Sequence, residues 1–341
     1  AWGKPTAPAT SDNRGCGFSE AMLTLAEQLM EPQDVLPGTV NVEGYAWGYG
    51  GRATLLGMDG VLRELGMRVL NCLPNCTAAE IVRAPAAQVN IARRVRWAMA
   101  LKERCGAEYM HIHGFARYTG LDGIALFYRE LCQKMGSDAD VDRILAPRME
   151  RARARLQACA EAYAGKRIVL MPRFFTAIPN LLMNAVRGAG IPIHAVVAFA
   201  GRARLELNDM DDEMAQSVLD NIRRAMEQTG VKAELIVNPD ERQLREALDG
   251  ADLVIGDEYT QRLAGDCPVL SDDLFLTALD PENLCRGAET LAANLGSYPS
   301  GSRLLLNRVD FEPGMYPYLE GEPTATVREM YQKLWQNRGR C

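Results

Sequence analysis

Hydrophobic and polar positions along this chain change period repeatedly, from the alternation or continuous apolar run of a strand to the wider spacing of a helix. Short apolar runs at 39–42, 68–73, 88–92 and 108–113 predict buried strands. Between and after them, helical spacing predicts helices over 53–65, 93–104 and 121–135, with a short turn near 78–82. An earlier helix is predicted over 18–30, where Phe18, Met22, Leu25, Ala26 and Leu29 share a face. A second series begins after Gly165, with strands at 167–171, 192–199, 233–237 and 253–255 and further ones at its margin, 268–270 and 303–307. Its helices are predicted at 178–187, 212–228, 241–248 and 282–295, and a last one at 324–336. Strands that alternate with helices in this way predict parallel sheets covered on both faces.

A polar stretch, 137–145, reads as a linker into a long helix with Pro147 in its first turn, where a missing N–H costs nothing. Met149, Ala152, Leu156, Cys159 and Tyr163 follow at helical spacing, while Arg151, Arg153 and Arg155 read as a solvated face with Glu150 and Glu161. The expected fold class is therefore α/β, with two Rossmann-like parallel-sheet domains facing each other across a cleft. Residues 1–38 form an irregular lead-in and helix, 39–146 the first α/β domain, and 147–341 the second with its C-terminal helix.

Residues 39–65, TVNVEGYAWGYGGRATLLGMDGVLREL, organise the first half. They read as a strand, a loop with Gly44, Gly48, Gly50 and Gly51, and a helix. Parallel sheets bind ligands at the carboxyl ends of their strands, and glycines there let backbone N–H groups approach a bulky or anionic group. The spacing is not the G-x-G-x-x-G fingerprint, and the glycines serve equally well as a wide turn needing positive φ.

The bulk numbers narrow the class. With 48% hydrophobic and 24% charged residues, a chain of 341 suits a globular protein of two or three domains. No run of eighteen apolar residues is present, so no transmembrane helix is expected. A net charge of −6 argues against a nucleic-acid surface. Nine cysteines, an odd number set mostly in apolar segments with no secretion pattern ahead of them, read as free thiols in a reducing cytoplasm. Only His111, His113 and His194 exist, which excludes a histidine-rich metal site by count.

Candidate chemistry gathers at predicted strand ends. Cys72 and Cys76 form C-x-x-x-C after a strand, and Cys16 lies between glycines ahead of a helix. Thiolates there could hold an iron–sulfur cluster or zinc, yet no second pair at similar spacing completes a four-ligand set, and the reading as two ordinary strand-end cysteines fits Cys72 and Cys76 better. His111 and His113 share one strand face, and His113 is the nearer to the ligand edge. Arg93, Arg94 and Arg96 open a predicted helix, where cations oppose the helix dipole and invite an anion. Arg117, Arg173 and Arg202 follow other strands, so converging arginines point to an anionic ligand, or else to solvated loop tips.

The order VNVEGY, GG, LRELGMRVLNCLP, EIVRAPAAQVNIARR, LKERCGAEYMHIHGF resembles the middle domain of nitrogenase component 1 proteins. The second half, with AGKRIVLM, NLLMNAVRGAGIPIHAVV and ADLVIGD, resembles their third domain, so the likeness runs from about Cys16 to about Leu295. It implies a nitrogenase component 1-like fold and an oxidoreductase that takes electrons through an iron–sulfur cluster from an ATP-dependent iron–sulfur reductase partner. It implies a metal-cluster or tetrapyrrole-like ligand between the domains, and a homo- or hetero-dimer with a related subunit. Carried over by position, the cavity-lining loops would be 44–51, 93–96, 113–117 and 171–176. Gly48, Gly50, Gly51, Arg94, Arg96, His113, Arg117 and Arg173 are then the cofactor-binding candidates, and Cys16, Cys72 and Cys76 the metal candidates.

Departures from the family pattern limit the chemistry. The family's preceding cluster-binding domain has no counterpart here unless the helix at 18–30 is its remnant. Arg94 stands where a cysteine binds the active-site cluster, and no histidine stands near 271–278. The resemblance therefore implies a relative that does not reduce dinitrogen. The alternative class is a non-catalytic cofactor scaffold or a ligand-binding protein of two α/β lobes.

Overall fold

The computed structural model describes residues 14–43, 48–73, 76–112, 116–172, 174–201, 212–256, 260, 263–264, 267–276 and 278–295; the side chains of 14–19, 48–54, 273 and 276 lie outside that description. The predicted strand at 303–307 and helix at 324–336 also fall outside it. Residues 1–305 make one compact unit that holds both sheets.

The first sheet is built from β1 (Leu36–Glu43), β2 (Arg68–Leu73), β3 (Ala87–Ala92) and β4 (Glu108–His111). All pairings are parallel and the strand order is β2-β1-β3-β4, so the order reverses between β1 and β3. From Thr39 onward every residue of β1 is buried, the signature of a strand covered on both faces. One cover is α2 (Gly48–Glu64) with α5 (Gly120–Met135), whose Met58, Val61, Leu62, Phe127 and Leu131 pack on Val40, Val42, Val89 and Ile91. The other is α4 (Val95–Cys105) with α1 (Arg14–Gln28): Met22, Ala26 and Met30 bury against Trp97 and Leu101. The helix at 18–30 is thus an outer layer of the first lobe. The short α3 (Ala78–Val82) starts with a capping box in which the Glu80 carboxylate accepts from the Thr77 N–H at 2.7 Å.

Three buried asparagines interrupt the apolar strands and meet across them. Asn41 of β1 is the register partner of both Asn71 of β2 and Asn90 of β3. Its Nδ2 donates to Asn90 Oδ1 at 2.8 Å and to the Ala84 carbonyl at 2.7 Å, while its Oδ1 accepts from Asn71 Nδ2 at 3.0 Å. Such a slip-sensitive chain of amides fixes the register, because a shift of one residue would orphan every member.

The second sheet contains β5 (Ile168–Met171), β6 (Ile193–Ala198), β7 (Glu234–Val237), β8 (Leu253–Gly256) and β9 (Val269–Ser271), again all parallel, in the order β7-β6-β5-β8-β9. The reversal falls between β5 and β8. Helices α7 (Ile178–Leu182), continued by a π-turned segment Met183–Gly188, α8 (Asp212–Thr229), α9 (Glu241–Leu248), α10 (Asp273–Leu276) and α11 (Pro281–Asn294) accompany it.

The connection between lobes differs from the sequence expectation. The linker is shorter than expected, 136–140: α6 (Val141–Ala160) begins at Val141, with the Asp140 side chain accepting from the Arg143 N–H, so Pro147 lies inside it. Val141, Leu145 and Met149 belong to the first core, and Ala152, Leu156 and Cys159 to the second. One helix thus contributes to both cores. Arg155 is no solvated face either. It donates to Glu289 at 2.7 and 2.8 Å and to Glu282 at 2.6 Å, holding α11 against α6.

Candidate functional site

At the reversal of the first sheet the strand ends bring one charged group into the interior. Glu43 closes β1 and its side chain has no solvent exposure. Its Oε2 accepts from the backbone N–H groups of Arg93 and Arg94, each at 2.8 Å, and its Oε1 accepts from Arg94 Nη1 at 3.1 Å. A buried carboxylate needs such partners, because desolvation costs several kcal/mol unless charge and hydrogen bonds offset it. Burial draws the Arg94 pKa down, and Glu43 opposes that fall.

His111 ends β4 beside this turn, half-buried, as the register partner of Ala92. Burial holds its pKa below the ordinary imidazole value, against the opposing effects of a hydrogen bond to the Arg93 backbone and the nearby Glu43 charge. The described part of the switch point therefore combines a carboxylate, a guanidinium and a neutral imidazole around one turn. Glu43 was missed in the sequence reading. The signal was present: an acidic residue closing an otherwise apolar strand.

The other candidates fall in several places. Gly48, Gly50 and Gly51 are not in a loop but in the first turns of α2. Arg93 and Arg94 precede α4, with Arg94 at its N-cap, and only Arg96 of the three lies within it. Arg96 pairs with Glu20 of α1. Arg117 pairs with Glu130 of α5, which also accepts from the Tyr118 hydroxyl at 2.6 Å. Arg94, Arg96 and Arg117 each have a carboxylate of the same chain as partner. His113, Arg173 and Arg202 lie outside the described residues.

Cys16 sits in the first turn of α1, Cys72 in β2, and Cys76 just ahead of α3. Cys72 and Cys76 are of intermediate exposure, and burial followed by the Glu80 charge pushes the Cys76 thiol up. Among the described residues no group of three or more His, Cys, Asp or Glu side chains is arranged to hold a metal ion. This described donor set does not fit an iron–sulfur cluster by itself.

The second sheet's reversal is filled differently. Thr260 is buried over Gly256, where an added Cβ would run into its side chain, and its hydroxyl donates to the Met171 carbonyl at the end of β5. A small residue at the end of β8 is what lets this threonine seat between the two diverging strands.

Two parallel α/β lobes, each with its reversal closed by a buried polar side chain, define a Rossmann-like two-lobed protein. The sequence model of the nitrogenase component 1 type oxidoreductases matches residues 6–272, and the chain belongs to that family. Among solved structures, "Nitrogenase Cp1 at pH 6.5" aligns with a TM-score of 0.57 at 14% identity, over 83% of this chain and 63% of that one. "Nitrogenase Cp1 at pH 5" aligns with a TM-score of 0.57 at 15% identity, over 83% of this chain and 61% of that one. The chain thus spans about three-fifths of the length of these structures, and the likeness is one of fold. No curated protein matches the sequence. Among the described residues no helix is long and apolar enough to cross a membrane.

Proposed function

We propose that this chain provides the two-lobed body of a nitrogenase component 1-like oxidoreductase. It acts on a metal-cluster or tetrapyrrole-like ligand at the carboxyl edge of its sheets, between the lobes, and dinitrogen is not its substrate. Electrons come from an ATP-dependent iron–sulfur reductase partner, and the chain works in the cytoplasm as a homo- or hetero-dimer with a related subunit, without nucleic acid or membrane. The observation that carries this reading is the family match over residues 6–272 together with a switch point ringed by Glu43, Arg94 and His111.

Chemistry supports the exclusion of dinitrogen. By the resemblance, Arg94 stands where the family has a cluster-binding cysteine, and a guanidinium bonded to Glu43 is not a metal ligand. In this proposal Arg94 and the first turns of α2, with Gly48, Gly50 and Gly51, present donors to the ligand. Arg96, Arg117, His113 and Arg173 are the further candidates that the resemblance assigns to that ligand, and His111 holds or accepts a proton beside Arg93 and Glu43. Cys16, Cys72 and Cys76 are this chain's thiolate donors toward a cluster completed by other residues or by a related subunit.

The test is anaerobic purification of the full-length natural protein with and without its reductase, followed by iron and acid-labile sulfide analysis and visible absorption. Iron and sulfide in fixed ratio, bleached by the reductase with ATP, are expected. A protein that binds a tetrapyrrole or cluster but passes no electrons to it is a scaffold instead. A colourless, iron-free protein that binds neither overturns both.

A further inference from the structure

The segment between α10 and α11 crosses from one lobe into the other. Ala278 is part of the second core, yet the next residue, Leu279, is buried in the first core among the side chains of α2, α5 and α6. The Tyr128 hydroxyl of α5 donates to the Leu279 carbonyl at 3.1 Å. Asp280 follows, 3% exposed, as the N-cap of α11, its Oδ2 accepting from the Asn283 N–H at 3.3 Å. Its carboxyl group lies directly against Gly57 of α2, where any Cβ would collide with it. Gly57 is a glycine because a carboxyl group from the other lobe occupies the place of its side chain.

We propose that Leu279 and Asp280 form a proton-sensitive latch between the lobes, closed while the Asp280 carboxyl is neutral and loosened when it ionises. Beyond the N-cap N–H groups of α11, the charges around Asp280 add little that stabilises a carboxylate. From α6 the facing cation is Arg148, which is already engaged by Glu64 of α2 at 2.6 and 2.9 Å. From α11 the facing charge is Glu282, of the same sign, which Arg155 holds. From α5 the Tyr128 hydroxyl donates to the neighbouring Leu279 carbonyl, and α2 presents Gly57 to the carboxyl group. Desolvation is accordingly the largest influence on Asp280 and pushes its pKa up to about 6, with the helix-cap hydrogen bonds opposing it.

The sign follows from linkage. A carboxyl whose folded pKa is raised stabilises the closed joint fully below its unfolded pKa, and that contribution is lost as pH rises through the folded value. A rise from 3.8 to about 6 changes the opening equilibrium by up to about a hundredfold between pH 4 and pH 7. The latch stands on contacts of this chain alone and does not depend on the proposed function.

Hydrogen exchange of the full chain from pH 4 to pH 7.5, corrected for intrinsic rates, tests it. Amides in the first turn of α11 and around Gly57 are expected to lose protection as pH rises, more than those of the strands. Asp280→Asn keeps a capping oxygen and removes the charge, so it should flatten this dependence and be better protected than wild type at pH 7.5. An unchanged slope in that variant, or pH-independent protection in the wild type, overturns the proposal. Gly57→Ala, which forces the carboxyl away, should lower protection at the joint at every pH; wild-type protection in it would equally overturn the latch.

Discussion

Asn41 and Asn90 are bonded side chain to side chain at 2.8 Å between residues that are already register partners of β1 and β3. The bond belongs to a buried chain that continues to Asn71 and to the Ala84 carbonyl. Replacing Asn41 with leucine leaves Asn71, Asn90 and Ala84 with polar atoms that water cannot reach. Each buried unsatisfied group costs about 1–3 kcal/mol, so the variant should lose about 3 kcal/mol or more in urea unfolding. Replacing all three asparagines with apolar residues should cost less than the sum of the single changes, since no partner is then orphaned.

Glu43→Gln removes the charge that balances Arg94 while keeping one acceptor oxygen. Breaking one side of a buried pair costs about 3–5 kcal/mol, reduced here because the Arg94 side chain retains 31% exposure and can reach water. A loss of about 2 kcal/mol is expected, read as a lower denaturation midpoint. Amide exchange at Arg93 and Arg94 should accelerate at the same time, a readout that a general loss of packing would not single out.

His111 should titrate below the ordinary imidazole value, because burial outweighs the Arg93 and Glu43 interactions that favour the cation. Its neutral form stabilises the fold above the unfolded pKa, and that stability is lost as pH falls through the lower folded value. With three histidines in the chain, imidazole carbon and proton shifts followed from pH 4 to pH 8 resolve each one. On acidification His111 should protonate at a lower pH than it does in the urea-unfolded chain.

Thr260→Val keeps the shape over Gly256 and removes the hydrogen bond to Met171. The buried Met171 carbonyl then lacks that donor, and a loss of about 1–2 kcal/mol is expected by thermal unfolding. Gly256→Ala should cost more, because its methyl group and the threonine side chain need the same space.

The Arg155 clamp should show itself in acid. Arg155 holds the Glu289 pKa below its ordinary value, so the pair's contribution is present above the unfolded pKa near 4.5 and fades as pH falls below it. Both partners are partly exposed, which limits the effect of Arg155→Met to about 1 kcal/mol at pH 7. The difference between variant and wild type should shrink towards pH 3 in paired melting curves.

Local pattern alone determined most of the architecture. Arg68–Leu73 and Glu241–Leu248 are where periodicity predicts them, and the alternation of apolar runs with helical spacing was enough for two parallel sheets; the family came from the resemblance of segments such as LRELGMRVLNCLP and ADLVIGD. Burial and period are properties of neighbouring residues, so they can be read without knowing what covers them. Which polar groups meet is another matter. Asn41 finds Asn90 through strand register, Glu43 finds Arg94 across fifty-one positions, Arg155 clamps α11, and Asp280 enters a space left by Gly57. The α6 helix joins two cores because its apolar stripe is divided between layers that only tertiary packing assembles. Arginines that looked aimed at an external anion proved to have carboxylates of their own chain beside them, since partners far apart in sequence become neighbours only when the sheets and helices close.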